Sequence, residues 1–268
     1  MLVAQPAREV KAIQRAVVRF LLPLLPVHES STAYVAGARL IDNADPHAGC
    51  RFILKFDFES FFPSIDDLAI RAMLQGMLGQ KISEAEINFV VSCCLWRAPA
   101  ARRPGLCIGA PSSPFLSNAV MFEIDHGIDA ECKALGVVYT RFSDDVTFSS
   151  DDPSKLATIE AAFRHACTSA PYPRLRINER KRIFASRGSA MRVTGLTLTN
   201  QGGVSVGRSR KRGVRAAVFD FVNGRLDEAQ IAKLRGELAF VLSIEPDFRD
   251  VLLHTYGPAA LRVLPRIR

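Results

Sequence analysis

The positions of the apolar residues predict a chain in which helices alternate with short strands. Apolar residues at helical spacing, among them Val10, Ile13 and Val17, predict an N-terminal helix over 7–25. A dense apolar run over 51–58 has the length of a strand and the composition of one buried on both faces. The pattern therefore predicts a helix first and then a strand in the core of a sheet.

The rest of the pattern predicts further elements in a regular order. Helices are predicted over 67–79, 83–96, 113–135 and 154–168, strands over 137–142, 146–148 and 174–178, a β-rich stretch over 190–207, and mostly helix over roughly the last sixty residues. Residues 26–50 and 97–111 are predicted to be loops. Pro114 suits the first turn of the 113–135 helix, and Gly136 suits its end. The buried stripe of this helix is predicted to be Leu116, Val120, Ile124 and Ile128.

The order of the middle elements, β-α-α-β-β-α-β, predicts an α+β fold with a small split βαβ sheet and helices on one face. A chain of 268 residues can bury a large core, as one large domain or two small ones. Hydrophobic residues make up 48% of the chain and charged residues 23%, which is ordinary for a globular protein.

Charge narrows the choice of partner. The formal net charge is +8 and the pI is near 9.4, which favours an acidic partner, with nucleic acid as the leading candidate. The apolar stretch Ala16–Leu25 is interrupted by Arg19 and Pro23, and it is too short to cross a membrane. The six cysteines show no Cys-x-x-Cys spacing, so a zinc site is unsupported and reduced thiols in the cytoplasm are expected.

A pair of carboxylates, Asp144-Asp145, lies between the two apolar runs 137–142 and 146–148. Such an arrangement predicts a tight hairpin turn with the pair at its tip. Adjacent carboxylates repel each other, and burying them is costly unless a cation neutralises them. Oxygen ligands favour a hard ion such as Mg²⁺. Because Asp-Asp pairs also occur at 66–67 and 151–152, this pair alone is a weak signal, and a solvated turn is the alternative.

A third carboxylate strengthens the hypothesis. Asp57 ends the dense apolar run 51–58, where a charged residue is not needed for solubility. A strand-end Asp together with the hairpin pair Asp144-Asp145 can form a three-carboxylate site for two metal ions. Such a site aligns a nucleophilic oxygen with a phosphate for in-line displacement.

Several motifs occur along the chain in a fixed order. The chain carries Phe56-Asp57-Phe58-x-x-Phe61-Phe62-Pro63-Ser64-Ile65, then Gly109-Ala110-Pro111-Ser112-Ser113-Pro114-x-x-Ser117-Asn118, then Asp144-Asp145. This order resembles the core motifs of retron-type reverse transcriptases, which are bacterial RNA-directed DNA polymerases. Three further elements resemble motifs of the same group, and they are Asn43-Ala44-Asp45-Pro46-His47, Asn178-x-x-Lys181 and Val193-Thr194-Gly195-Leu196. The resemblance covers roughly residues 6–245.

The resemblance implies a role for each matching residue. Asp57, Asp144 and Asp145 hold two Mg²⁺ ions, and the carbonyl of Phe58 completes a metal shell. Phe62 stands where related enzymes carry an aromatic residue that blocks the ribose 2′-hydroxyl, with core packing as the alternative. The implied nucleotide-binding set is Phe62, Pro111, Ser112, Ser113 and Lys181. The implied RNA or DNA contacts in the loop and hairpin motifs are Asn43, His47, Val193, Thr194 and Gly195.

A basic run precedes an apolar helical face near the C-terminus. The run consists of Arg208, Arg210, Lys211, Arg212 and Arg215, and the face consists of Val214, Val218 and Phe221. This combination fits a thumb helix that packs by one face and contacts a nucleic-acid backbone with the other. A solvated charged face is the alternative.

The chain departs from the family pattern in two places. Phe142-Ser143 precedes the aspartate pair where the family has Tyr-Ala or Tyr-x. The opening motif, Gln5-Pro6-x-x-x-Val10-Lys11-x-x-Gln14, is one that family members reach only after two basic fingers strands, whose Lys and Arg clamp the triphosphate. The predicted fold is therefore a reverse-transcriptase palm plus a helical thumb, with the fingers reduced or truncated. A misassigned start, a clipped chain and an impaired polymerase all stay open as explanations.

The predicted domains are partial fingers with the N-terminal helix over 1–50, a palm over 51–200 with finger-side helices at about 67–110, and a thumb over 201–268. The resemblance implies an RNA-directed DNA polymerase that uses a structured non-coding RNA as template and primer, in phage defence. The implied partners are that RNA, the RNA–DNA product, dNTPs and an effector protein, with no membrane. Two alternatives stay open: an RNA-binding scaffold with impaired polymerase activity, and another bacterial reverse transcriptase of the group II intron type.

Overall fold

A computed structural model describes residues 5–99 and 101–263, with the backbone alone for Ala259 and Leu261. The outer ends of the predicted first and last domains, residues 1–4 and 264–268, lie outside the described residues. The chain forms two compact units. The first unit comprises residues 1–43 and 50–188, and the second comprises residues 44–49 and 189–268.

The elements alternate much as the apolar pattern predicts. Up to residue 188 they are α1 (Arg8–Leu21), α2 (Leu40–Ala44), β1 (Phe52–Asp57), α3 (Phe61–Ser64), α4 (Asp67–Leu78), α5 (Glu84–Cys94), α6 (Ser113–Val120), α7 (Phe122–Leu135), β2 (Val138–Phe142), β3 (Asp145–Ser150), α8 (Pro153–Ser169) and β4 (Ile183–Ser186). Beyond residue 188 they are β5 (Arg192–Val193), β6 (Leu196–Leu198), β7 (Val204–Ser205), α9 (Arg208–Val222), α10 (Glu228–Ile244) and α11 (Phe248–Tyr256). Short 3-10 turns occur at Asp45–His47, Gly79–Lys81, Glu179–Lys181 and Pro258–Arg262.

The sheet of the first unit has the strand order β2-β3-β1-β4, and every neighbouring pair is antiparallel. Helix α8 packs on this sheet through Phe163, whose ring lies 5.1 Å from that of Phe56 on β1 and 5.4 Å from that of Phe148 on β3. All three side chains are almost fully buried. The α+β sheet with helices packed against a face, as predicted, is therefore confirmed.

The predicted 113–135 helix is interrupted at Met121. Its backbone has ψ near −8°, so α6 ends there and α7 begins at the next residue. The chain has no Gly or Pro at this point, so no local signal could predict the break. The predicted stripe is nevertheless buried on both sides of it, at Leu116, Val120, Ile124 and Ile128.

Two other predictions of secondary structure were wrong. The predicted strand over 174–178 makes a single bridge, between Ile177 and Phe58, because the chain turns into a 3-10 turn directly after it. The sheet edge is instead formed by β4, which begins at Ile183, nine residues after the predicted start at 174. The predicted loop over 26–50 contains the short helix α2.

The second unit is a small antiparallel sheet, β5-β6-β7, followed by three helices in its described part. The turn between β5 and β6 is Thr194-Gly195, and both residues have positive φ, 46° and 80°. A two-residue hairpin with positive φ at both central positions is a type I′ arrangement, which suits Gly at the second position. The predicted β-rich stretch and helical C-terminal region are confirmed. Within residues 5–99 and 101–263, no helix is long and apolar enough to cross a membrane.

Candidate active site

Three Asp residues lie at one end of the first unit's sheet. Asp57 ends β1 and pairs with Asp145, the first residue of β3. The amide of Phe58 donates to the carbonyl of Asp144 at 3.3 Å, which ties the chain after β1 to the hairpin. Asp57 is 7% exposed, so its carboxylate is almost fully removed from water. Antiparallel pairing of β1 with β3 therefore brings together the three Asp residues that the sequence singled out.

The hairpin differs from the prediction in one detail. Asp145 pairs with Phe142, so the two turn residues are Ser143 and Asp144, and Asp145 belongs to the strand. Ser143 has φ of +61°, in the left-handed region that few residues other than Gly adopt. The side chains of Asp144 and Asp145 consequently start from different local geometries, one on the turn and one on the strand.

The charges of these carboxylates affect one another. Burial raises the pKa of Asp144 above its ordinary value, and the nearby charges of Asp57 and Asp145 raise it further. These raising effects outweigh the hydrogen bond and the Lys181 charge that lower it. A bound cation would reduce the electrostatic repulsion among these partly buried carboxylates.

A cationic side chain already contacts this group. Lys181 Nζ donates to Asp57 Oδ2 at 2.8 Å, and this hydrogen bond raises the pKa of Lys181. The Asn178-x-x-Lys181 spacing explains the placement. The amide of Asn178 donates to the carbonyl of Asp57 at 2.8 Å, and the 3-10 turn Glu179–Lys181 then turns the lysine back toward the carboxylate.

The donor set fits a hard divalent cation. Carboxylate oxygens, such as those of Asp57, Asp144 and Asp145, are the ligands that Mg²⁺ prefers. The pKa of Asp144 is raised first by burial and then by the charges of the other two Asp residues. The three Asp residues lie at the same end of the sheet, but in the described part of the chain no three His, Cys, Asp or Glu side chains converge closely enough to form a metal site. The Asp57 carboxylate is directed toward the Lys181 ammonium.

A cavity of about 350 Å³ lies in the first unit, in the size range of small-molecule sites. It is lined by Lys11, Arg15, Tyr34, Phe62, Cys107, Ile108, Gly109, Ala110, Pro111, Ser113 and Pro114. Of the predicted nucleotide-binding set, the structure thus brings Phe62, Pro111 and Ser113 together. Ser112 and Lys181 do not line this cavity, because Ser112 is fully buried and Lys181 lies against Asp57.

Two features shape the cavity wall. Ser113 Oγ donates to the carbonyl of Cys107 at 2.7 Å and accepts from its amide at 3.2 Å, which holds the 107–113 loop closed. The Phe62 ring packs 5.5 Å from Phe61 and 6.4 Å from Tyr34, measured between ring centroids. Phe62 is half-buried, so part of its ring is available to a ligand.

Sequence reasoning missed the basic residues of this cavity. Lys11 and Arg15 lie four residues apart on α1 and therefore share a face of the helix. Arg15 is exposed and, among the described residues, has no hydrogen-bond or ion-pair partner, whereas Lys11 donates to Gln5 Oε1 at 2.9 Å. The i, i+4 spacing was visible in the sequence, but nothing local indicated which surface that face would meet.

Three of the five residues predicted in the loop and hairpin motifs are buried, while Thr194 is half-buried and Gly195 is exposed. Asn43 is 1% exposed, and its Oδ1 accepts from Thr32 Oγ1 at 2.8 Å. In the second unit His47 and Val193 are each 0% exposed. Their RNA contacts stay predictions, and the structure gives Asn43 a role in holding the loop that precedes β1.

The basic residues of α9 differ in their surroundings. Lys211 Nζ donates to Glu245 at 2.8 Å, and the Arg210 guanidinium lies 4.5 Å from the ring centroid of Phe240. Arg208 and Arg212 are exposed, and neither has an acidic partner in the part of the chain that the structure describes. With Lys211 and Arg215 they line a cavity of about 660 Å³ in the second unit. The run is therefore partly structural and partly free to bind a ligand.

Comparison with known proteins identifies a family. The profile of the reverse transcriptase (RNA-dependent DNA polymerase) family matches residues 1–198. The Retron Ec83 reverse transcriptase of Escherichia coli is 34% identical over 99% of this chain and 85% of its own length. The Retron Mx65 reverse transcriptase of Myxococcus xanthus is 32% identical over 94% of this chain and 60% of its own length. The Retron Ec86 reverse transcriptase of Escherichia coli is 30% identical over 90% and 71%.

Solved structures show a similar fold. Apo telomerase from Candida tropicalis superposes with a TM-score of 0.54 at 13% identity, over 97% of this chain and 52% of that one. Telomerase from Candida albicans in complex with a fragment of telomeric RNA gives a TM-score of 0.53 at 12% identity, over 96% and 49%. This chain thus spans about half the length of those proteins, and the likeness concerns the fold alone.

Proposed function

This chain belongs to the reverse transcriptases, the RNA-directed DNA polymerases, and within them to the retron group, and from that membership we propose that Asp57, Asp144 and Asp145 form its polymerase centre. The observation that supports the proposal is that the three Asp residues lie at the same end of the β1–β3 pair, where the charges of Asp57 and Asp145 act on Asp144. The proposed reaction adds deoxynucleotides to a primer on a structured non-coding RNA, which serves as template and as primer.

The family's enzymes depend on metal ions, and the proposed cofactor is a pair of Mg²⁺ ions. When bound, two such ions supply activation of the attacking hydroxyl and stabilisation of the leaving pyrophosphate. The residues proposed to hold them are the three aspartates, together with the carbonyl of Phe58. Lys181 keeps a positive charge against Asp57, and this charge limits the repulsion within the group.

The 350 Å³ cavity is the proposed site for the incoming dNTP. The Phe62 side chain forms part of its wall, and Pro111 and Ser113 contribute the loop. Lys11 and Arg15 provide positive charge for a polyphosphate. The scaffold alternative drew support from the absence of the basic fingers strands, and the two cations of α1 at this cavity weigh against it. The similarity to retron reverse transcriptases favours the retron group over a reverse transcriptase of the group II intron type.

Replacing Phe62 by Ala is expected to raise incorporation of ribonucleotides relative to deoxyribonucleotides. The smaller side chain leaves room for a 2′-hydroxyl at the cavity wall. The measurement is the ratio of kcat/KM for rNTP and dNTP in RNA-templated extension, together with the melting temperature.

Phe61→Leu is the matched control for this variant, because Phe61 is buried and does not line the cavity. It is expected to lower the melting temperature and leave the selectivity ratio unchanged. If Phe62→Ala loses stability by roughly 3–5 kcal/mol with unchanged selectivity, Phe62 is a core residue and not a gate.

Helix α9 is the proposed contact with the backbone of the RNA–DNA product. Its exposed arginines, Arg208 and Arg212, are available for phosphate oxygens. Lys211 serves a different purpose. Burial raises the pKa of Glu245, but the hydrogen bonds it accepts, from Lys211 first, outweigh burial and leave the pKa below its ordinary value. Lys211 is therefore part of the packing of the second unit.

Replacing Arg208 and Arg212 by Gln is expected to weaken RNA binding and to flatten its salt dependence by up to about two units of slope, one for each lost phosphate contact. The melting temperature should stay unchanged, and discrimination between cognate and random RNA should change little, since phosphate contacts carry no sequence information. The measurement is a titration of RNA binding at several salt concentrations.

Lys211→Gln provides the contrast, with a lowered melting temperature because Glu245 loses its cation. The difference in melting temperature between this variant and the wild type is expected at neutral pH. It should shrink as the pH falls through the lowered pKa of Glu245, because protonation of Glu245 breaks the ion pair in the wild type as well. An unchanged salt slope in the double arginine variant would place the RNA-binding surface elsewhere.

The proposed biological setting is phage defence in the bacterial cytoplasm, with an effector protein as a further partner. Sequencing the nucleic acid that co-purifies with the chain identifies the RNA and the DNA joined to it. Plating phage on cells that carry the wild type or Asp144→Asn then tests whether protection requires synthesis. Equal protection by both would separate the defence role from the polymerase.

A further inference from the structure

A fully buried ion pair lies next to the hairpin that carries Asp144. Arg141 and Asp125 are each 0% exposed. Nε and Nη2 of Arg141 donate to the two carboxylate oxygens of Asp125, at 2.8 and 2.6 Å. Removing two charges from water costs several kcal/mol per ion, and apolar residues of similar volume are often as stable in such a place. Stability alone therefore does not explain why the pair is there.

The same guanidinium reaches the turn. Nη1 of Arg141 donates to the carbonyl of Ser143 at 3.0 Å. That carbonyl belongs to the peptide unit that joins Ser143 to Asp144, so the hydrogen bond fixes the orientation of this peptide plane. Ser143 has φ of +61°. A residue other than Gly in this region is strained, and it stays there only when its surroundings hold it.

The polar groups around Asp125 and Arg141 are hydrogen-bonded to one another. Tyr139 Oη donates to Asp125 Oδ1 at 2.7 Å, and Arg141 Nη1 also donates to Asn118 Oδ1 at 3.3 Å. Asn118 Nδ2 in turn donates to the carbonyl of Ala33 at 2.8 Å. The network therefore fixes the guanidinium from α6, α7 and β2 at once, and its remaining donor points at the turn.

We propose that Arg141 is a positioning residue for the polymerase centre: held by Asp125, it fixes the Ser143–Asp144 peptide and so the direction of the Asp144 carboxylate. The inference rests on the proposed role of Asp144 in catalysis. It adds that the chemistry depends on a charged residue that touches neither substrate nor metal. A displacement of about 1 Å at a reacting group can cost on the order of a hundredfold in rate.

The test replaces the network by apolar residues of similar volume, in the full chain, with Arg141→Met, Asp125→Leu and Tyr139→Phe combined. No buried charge is left without a partner, so the melting temperature should stay close to that of the wild type. RNA affinity and the KM for dNTP should also stay unchanged, while kcat falls by roughly a hundredfold. Hydrogen exchange of the peptide covering 142–148 should be faster, and exchange elsewhere in the sheet unchanged.

A second variant covers the case in which the triple variant does not fold. Arg141→Lys keeps the positive charge, but an ammonium lacks the planar fork that serves Asp125 and Ser143 together. It should fold, lose at least about tenfold in kcat and show the same faster exchange in the hairpin. Arg71→Gln with Glu84→Gln is the control, since this ion pair at the surface joins α4 to α5 and does not contact the hairpin. It should leave kcat and hairpin exchange unchanged.

A folded variant of either kind with wild-type kcat, or with unchanged exchange at the hairpin, overturns the proposal. If the wild type itself fails to extend a primer, the proposed function is wrong, and the exchange measurement still decides whether Arg141 holds the turn. The two failures are thus distinguishable.

Discussion

Asp144→Asn, like Asp145→Asn, is expected to abolish DNA synthesis while the protein stays folded. Each variant removes a negative charge from the three Asp residues proposed to hold the metal ions, and a neutral amide does not replace a carboxylate in holding a divalent cation. The measurement is RNA-templated primer extension in the presence of Mg²⁺, with melting temperatures recorded in its absence. Loss of activity beyond detection is the expected result.

Although Asp144→Asn is expected to lose activity, it should not lose stability, and its free energy of unfolding should stay the same or rise. The pKa of Asp144 is raised by burial and then by the charges of Asp57 and Asp145. A carboxyl whose pKa is raised on folding opposes folding in its ionised form, at any pH above the pKa of an unfolded Asp, about 3.9. At neutral pH the Asn variant should therefore melt at the same temperature as the wild type or higher.

Asp250→Asn is the matched control, because Asp250 is exposed on α11 and far along the chain from the hairpin. It should leave both activity and melting temperature unchanged. If Asp144→Asn and Asp145→Asn are folded and extend a primer at a near-normal rate, the polymerase centre is not at this end of the sheet.

Replacing both Lys11 and Arg15 by Gln is expected to raise the KM for every dNTP. The two cations line the cavity that Phe62 and Pro111 share, and Arg15 has no acidic partner among the described residues. A charge-assisted hydrogen bond contributes about 1.5–3 kcal/mol, so each lost phosphate contact should raise KM by roughly tenfold or more. The measurement is steady-state extension over a range of dNTP concentrations.

The same variant should also bind pyrophosphate more weakly, because the contacts involve the polyphosphate and not the base. Arg19→Gln, on the same helix but outside the cavity lining, is the control and should leave KM unchanged. A fall in kcat with KM and pyrophosphate inhibition unaltered would show that α1 supports the fold and does not contact the nucleotide.

The sequence alone located the three aspartates, and the reason is local. Asp57 interrupts an apolar strand at its end, and Asp144-Asp145 interrupts a hairpin pattern, so each departs from what burial favours. The ordered motifs around them also indicated the family, which the relatives confirm. The helical stripe of the 113–135 segment was predictable for a similar reason, since burial follows periodicity even where the helix breaks at Met121.

Other parts of the site depended on contacts between distant segments. Lys181 reaches Asp57 across 124 positions of the chain, and this contact requires the turn after Ile177 that pattern reasoning took for a strand. Arg141, three residues before Asp144, gave no sign of being buried, because its partner Asp125 lies outside the apolar stripe predicted for its helix and only the packing of that helix buries the pair.

The sequence by itself determined the order of helices and strands in the palm, the three carboxylates and the basic helix, because apolar periodicity and charged residues in apolar runs are properties of neighbouring positions. Only the tertiary structure decided that Lys11 and Arg15 face the Phe62 cavity, that Lys211 is an internal partner of Glu245, and that Arg141 holds the turn before Asp144. Each of these depends on which surfaces pack together. That choice is made by the sum of many small contacts over the whole core, and no short stretch of chain contains it.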